Sequence, residues 1–162
     1  MKLTEKIAAI VVLTALLFKF FLIPGGGVLV TFALTILAIL YYPLGFALLS
    51  GIRLRKIFKK ESYFGKTPVQ ILIAIGAGMA FSVLCCGILF RLQNWPGAMV
   101  QLYTGLASVG VLLLGTGVQH FVKSSPAIKG LYIRSVILFF FGLMIALPSD
   151  LMLVKVQFRN HP

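Results

Sequence analysis

Leu89-Phe90-Arg91-Leu92-Gln93-Asn94-Trp95-Pro96-Gly97-Ala98 is a short polar break, carrying one cation, between two long apolar runs. An apolar run, a Pro-Gly turn and a second apolar run read as a membrane hairpin, because the chain reverses where its backbone groups can find partners outside the hydrocarbon. The same frame stands 72 residues earlier, as Leu17-Phe18-Lys19-Phe20-Phe21-Leu22-Ile23-Pro24-Gly25-Gly26, with Lys19 in the place of Arg91. The offset that carries Pro24 onto Pro96 also brings Ala8, Val11, Leu17, Phe18, Gly25, Val28, Leu34 and Gly45 onto identical residues. Apolar matches arise readily by chance, so the clustered Phe, cation, Pro and Gly carry the signal. Two such units separated by an even number of crossings are expected to enter the membrane from the same side, as a parallel repeat about an axis along the membrane normal.

Composition sets the environment. Sixty per cent hydrophobic residues, three acids in 162 positions and a mean hydropathy of +1.05 lie outside the range of soluble domains and read as an integral membrane protein. The net charge of +12 falls mostly in short segments between apolar runs, where Lys and Arg set orientation. That distribution argues against a nucleic-acid partner. Cys85 and Cys86 are adjacent within an apolar run and lack His or Cys at ligand spacing, which makes them packing residues.

A hydrocarbon core of about 30 Å takes about 20 helical residues. Five segments meet or approach that length, near 6–23, 27–50, 69–92, 98–121 and 130–147. The expected fold is an all-α polytopic bundle of about five transmembrane helices. It divides into a first hairpin (1–50), a basic cytoplasmic loop (51–68), a second hairpin (69–122) and a fifth helix with an outer tail (123–162). A four-crossing alternative leaves Leu131 to Leu147 as an interfacial segment. The first run follows Lys2 and Lys6 as a signal peptide would, but continues through Phe18, Phe20 and Phe21 to Pro24 without a small-residue cleavage site. It is expected to stay in the mature protein. Tyr41-Tyr42-Pro43 in the second run fits a kink or tyrosines at the interface.

The loop Gly51-Ile52-Arg53-Leu54-Arg55-Lys56-Ile57-Phe58-Lys59-Lys60-Glu61, with Lys66 after it, is the most basic stretch. Its apolar residues Ile52, Leu54, Ile57 and Phe58 could lay a short helix on anionic headgroups, or the loop could act only to orient the chain. An inside amino terminus puts eleven cations inside: Lys2, Lys6, six in the loop, Lys123, Lys129 and Arg134. Lys19, Arg91, Lys155 and Arg159 remain outside, together with both Pro-Gly tips and the carboxy terminus. Small residues that let helices approach in lipid are Ala74, Gly78 and Ser82, with Gly76 and Ala80 beside them, and Gly110 and Gly117 in the next run.

No acid lies within any run: Glu5 and Glu61 flank runs and Asp150 follows the last, which argues against a carboxylate proton relay. Lys19 and Arg91 are the cations placed well inside the hairpins. They either snorkel to outer headgroups or bond carbonyls at the turn, or else contact an anion or a partner. Gln93, Asn94 and Gln101 make the second tip more polar than the first, where Phe21, Leu22 and Leu29 correspond. Trp95 reads as an interface anchor, and Pro24, Gly25, Pro96 and Gly97 as the hairpin turns. No catalytic triad, metal set or phosphate loop is present in the pattern, and no cofactor is expected.

The two frames, Leu17-Phe18-Lys19 to Pro24-Gly25 and Phe90-Arg91 to Trp95-Pro96-Gly97-Ala98, resemble the transmembrane hairpin of GldL, the inner-membrane L subunit of the gliding-motility and type IX secretion motor. The likeness covers roughly residues 8–45 and 80–117. It implies a bacterial inner membrane of the Bacteroidota type, and carries the family's intramembrane Lys onto Lys19 and, as Arg, onto Arg91. The family's Glu beyond the turn is replaced by Thr35-Ile36-Leu37-Ala38-Ile39 and Ala107-Ser108-Val109-Gly110-Val111, and its long cytoplasmic domain is missing. The expected function is therefore that of a noncatalytic membrane protein packing with itself or another membrane subunit. The alternative is a small transporter or channel for an anionic solute.

The cation split predicts that Ile57→Cys is labelled only from the inside, and Gly26→Cys and Ala98→Cys only from the outside. Labelling of residue 57 from the outside would overturn the map.

Overall fold

The computed structural model describes residues 2–21, 23–42, 68–122 and 126–148. Its elements are five helices: α1 Lys2–Phe20, α2 Gly26–Tyr41, α3 Pro68–Leu92, α4 Ala98–Val122 and α5 Pro126–Ala146. The basic loop, Pro43, the Ser124-Ser125 turn and the carboxy-terminal tail lie outside the described residues. Three stretches are long and apolar enough to cross a membrane, namely Gln70–Leu92, Ala98–His120 and Ile128–Ala146. Large apolar side chains are exposed on every helix, among them Ile10, Phe32, Leu72, Leu114 and Met144. Such an outer surface suits hydrocarbon and not water.

The helices have apolar residues on most faces, so chain length and turns, more than amphipathicity, set their ends. Both Pro-Gly turns close with backbone bonds at matching positions. In the first, Phe21 N–H donates to Leu17 C=O, Ile23 to Phe18, Gly26 to Ile23 and Leu29 to Gly25, at 2.9–3.0 Å. In the second, Gln93 donates to Leu89, Trp95 to Phe90, Ala98 to Trp95 and Gln101 to Gly97, at 3.0–3.2 Å. Gly25 and Gly97 have φ of +85° and +78°, values that a side chain makes costly. Gly26 and Ala98 are buried just past the turns, so Pro24 and Pro96, which are exposed, are the better labelling positions at the tips.

Among the described residues, α3 is the central helix. It packs on α2, α4 and α5, while α1 packs chiefly on α2 and α5 chiefly on α4. More than half of its membrane-length window is buried, against 22% for α4 and for α5. Where α3 crosses α4 the backbones nearly touch: a Cβ on Gly87 would stand 2.6 Å from Leu102 Cα, and one on Gly105 would stand 2.6 Å from Leu84 Cα. Each glycine receives the other helix's leucine. Ala74, Gly78, Ala80 and Ser82 are buried as well, but Gly76 is exposed with nothing near it, and Gly110 and Gly117 face Phe139 and Tyr132 of α5. Tyr41 is buried edge-on against Phe81 of α3 at 5.3 Å, so of the tyrosine pair only Tyr42 is exposed.

Hydroxyls within the helices bond back to their own backbones. Thr116 donates to Leu112 C=O at 2.8 Å and Ser135 to Leu131 C=O at 3.0 Å, which lets both be buried in an apolar interior.

The crossing predicts that Gly87→Ala or Gly105→Ala forces α3 and α4 apart and destabilises the protein by about 1–3 kcal/mol. Gly76→Ala should be neutral or mildly stabilising. Thermal unfolding in detergent compares the three.

Candidate functional site

A network of polar side chains that links different helices lies at the Pro-Gly end of the bundle. Lys19, in the last turn of α1, donates its Nζ to the carbonyl of Leu92, the last residue of α3, and to Gln93 Oε1 at 3.3 Å. A helix leaves its final four carbonyls without intrahelical partners and concentrates partial negative charge there. Lys19 therefore supplies both a donor and a complementary charge to a neighbouring helix. Arg91, the next-to-last residue of α3, does the same for α5: its Nη2 donates to Pro148 C=O at 2.7 Å, two residues beyond Ala146. Arg91 is only 4% exposed, so headgroups do not reach it from outside the bundle.

Gln93 ties these contacts together. Its Nε2 donates to Gly27 C=O at 2.8 Å and to Thr31 Oγ1, while its Oε1 accepts from Lys19. Thr31 in turn donates to Gly27 C=O at 2.9 Å. One amide from the second hairpin thus engages both helices of the first, using its oxygen as well as its N–H groups. Sequence reading marked Lys19, Arg91 and the polarity of Gln93. It missed Gly27, Thr31 and Pro148, and it took Gln93 as a mark of tip divergence where the side chain is an inter-hairpin tether. The available signal was Phe21 at the position matching Gln93: a polar residue beside a cation in one copy alone.

Pro24, Gly25, Pro96 and Gly97 are all exposed at the tips. Trp95, 44% exposed, packs edge-on against Phe90 at 5.1 Å. Asn94 adopts a positive φ of 53°, which Asn tolerates better than most residues. Cys85 is buried and Cys86 half-buried, and both are free thiols. The two hairpin cations meet at the end of α3, where Lys19 bonds Leu92, the residue next to Arg91.

A separate cavity of about 250 Å³ lies among α1, α2, α3 and α5. Its walls are largely apolar, with Tyr41, Cys85 and Arg134 among them, and neither Lys19 nor Arg91 lines it. Comparison with known protein families, curated proteins and solved structures gives no match.

Charge-assisted hydrogen bonds of this kind contribute about 1.5–3 kcal/mol each. Lys19→Met and Gln93→Leu should each destabilise the protein, and the double variant should lose less than the sum, with a coupling of about 0.5–3 kcal/mol. Additive losses in a double-mutant cycle of detergent melts would show that the two side chains act separately.

Proposed function

We propose that this chain is a noncatalytic integral protein of a bacterial inner membrane, made of a duplicated hairpin and a fifth helix, which packs with itself or with another membrane subunit. The observation that carries this reading is the engagement of Lys19 and Arg91 with backbone carbonyls at the ends of neighbouring helices. A solute pathway needs a charge facing an open route, and these two charges act as structural donors.

The duplication is supported by the matching bonds at the two turns and by the packing behind them. At the 72-residue offset, Leu84, Gly87, Leu102 and Gly105 correspond to Val12, Ala15, Val30 and Ala33, all of them buried. Each pairing of a large with a small residue is kept in the same order. A GldL-related origin without the motor's acid fits Lys19 and Arg91 at matching places before each turn. The cation distribution supports an amino terminus in the cytoplasm and a basic loop near anionic headgroups. Exposed apolar faces on α4 and α5 leave room for a membrane partner or a second copy.

Purified protein in liposomes should move no anion above the level of empty vesicles, and crosslinking in native membranes should trap a discrete homo-oligomer or subunit complex. Anion flux abolished by Lys19→Met or Arg91→Met, in protein that still melts cooperatively, would replace this reading with a transporter.

A further inference from the structure

The cavity among α1, α2, α3 and α5 opens sideways. Leu13 on α1 and Ile137 on α5 both line it and are 57% and 61% exposed, whereas Leu34, Leu37, Cys85 and Ile88 at its base are buried. The mouth is thus the seam between α1 and α5, on the same outer surface that presents apolar side chains to hydrocarbon. An apolar recess open to a bilayer offers nothing to water or to a free anion, but an acyl chain can fill it.

Arg134 places a charge at one end of this recess. Pro148 receives Arg91 at the outer end of the bundle, and Arg134 is 14 residues before it, about 21 Å along a helix at 1.5 Å per residue. Its side chain leans further the same way: a Cβ on Gly130 would stand 4.0 Å from Arg134 Nη1, and Gly130 is one more turn toward the inner end. The guanidinium therefore lies about 27 Å from the outer polar level, near the inner edge of a hydrocarbon core about 30 Å thick. From there it lies within a few ångströms of the inner-leaflet phosphates.

We propose that the α1–α5 seam is a binding site for one anionic phospholipid of the inner leaflet, with an acyl chain in the recess and the phosphate on Arg134. Glycine at position 130 keeps the path to the headgroup level open, and a guanidinium matches phosphate in geometry as well as charge. The proposal rests on membrane insertion with α5 starting inside, but not on the absence of transport.

Native mass spectrometry of detergent-purified protein, mixed with equimolar phosphatidylglycerol and phosphatidylcholine, tests it. Wild type should retain one phosphatidylglycerol at least fivefold over phosphatidylcholine. Arg134→Gln should abolish that preference, and Lys129→Gln, an equal charge change at an exposed position of α5, should keep it. Ile137→Trp, which blocks the mouth from a largely exposed position, should reduce retention of both lipids while the melting temperature holds. Equal retention of the two lipids by wild type would overturn the site, as would an unchanged preference in Arg134→Gln or undiminished retention in folded Ile137→Trp. Failure of the noncatalytic reading would show in liposome flux instead, and leave these ratios unaffected.

Discussion

A helix that ends among other helices leaves carbonyls that water cannot satisfy, and the arrangement at the Pro-Gly end of this bundle follows from that constraint. Lys19 meets the end of α3, and Arg91 meets the chain just beyond α5. The donor comes each time from an odd-numbered helix and the acceptor from the next one. Because a long cationic side chain reaches farther than a backbone group, the bond holds together helices whose own packing is limited: α1 packs chiefly on α2, yet its lysine fixes the end of α3. Gln93 adds α2 to the same network through Gly27 and Thr31.

The second constraint is steric. Gly87 and Gly105 bring α3 and α4 close enough for each glycine to sit against a leucine Cα, which gives the second hairpin a tighter crossing than side chains alone would allow. At the 72-residue offset the first hairpin has Ala15 and Ala33 at the glycine positions and Val12 and Val30 at the leucine positions, all four buried. Summed side-chain size over the four positions is roughly the same while its distribution differs. The two hairpins can keep a common turn and still differ in how closely their helices approach.

Five apolar runs and two Pro-Gly turns were legible because hydrophobic length and turn chemistry are local properties. The described helices fall on those runs, and the ends of α1 and α5 are displaced by a few residues where polar residues such as Lys2 and Lys129 join the helix, while residues 43–50 of the second run lie outside the described residues. Contacts between elements were less legible. The small residues that stood out by four-residue and seven-residue spacing were Ala74, Gly78 and Ser82, and Gly110 and Gly117, whereas Gly87 and Gly105, which bring α3 and α4 into close approach, form a pairing that no pattern within one run announces. The acceptors of Lys19 and Arg91 were hidden for a related reason. A backbone carbonyl has no sequence signature, so a cation paired with one looks, in sequence, like a cation free to reach headgroups.

The separation along the chain between each cation and its acceptor bears on how the protein is made. Lys19 precedes Leu92 by 73 residues and Arg91 precedes Pro148 by 57. During synthesis from the amino terminus, the first hairpin is complete long before the carbonyl that receives its lysine exists, and the second hairpin likewise waits for α5. Each unit therefore leaves the ribosome before the carbonyl that receives its cation in the finished fold has been made. Insertion and assembly are consequently ordered: a hairpin reaches its final setting only when the next odd-numbered helix has arrived, and a chain truncated after α4 would carry Arg91 without its final acceptor. That missing contact is a way in which an unfinished chain differs from a finished one.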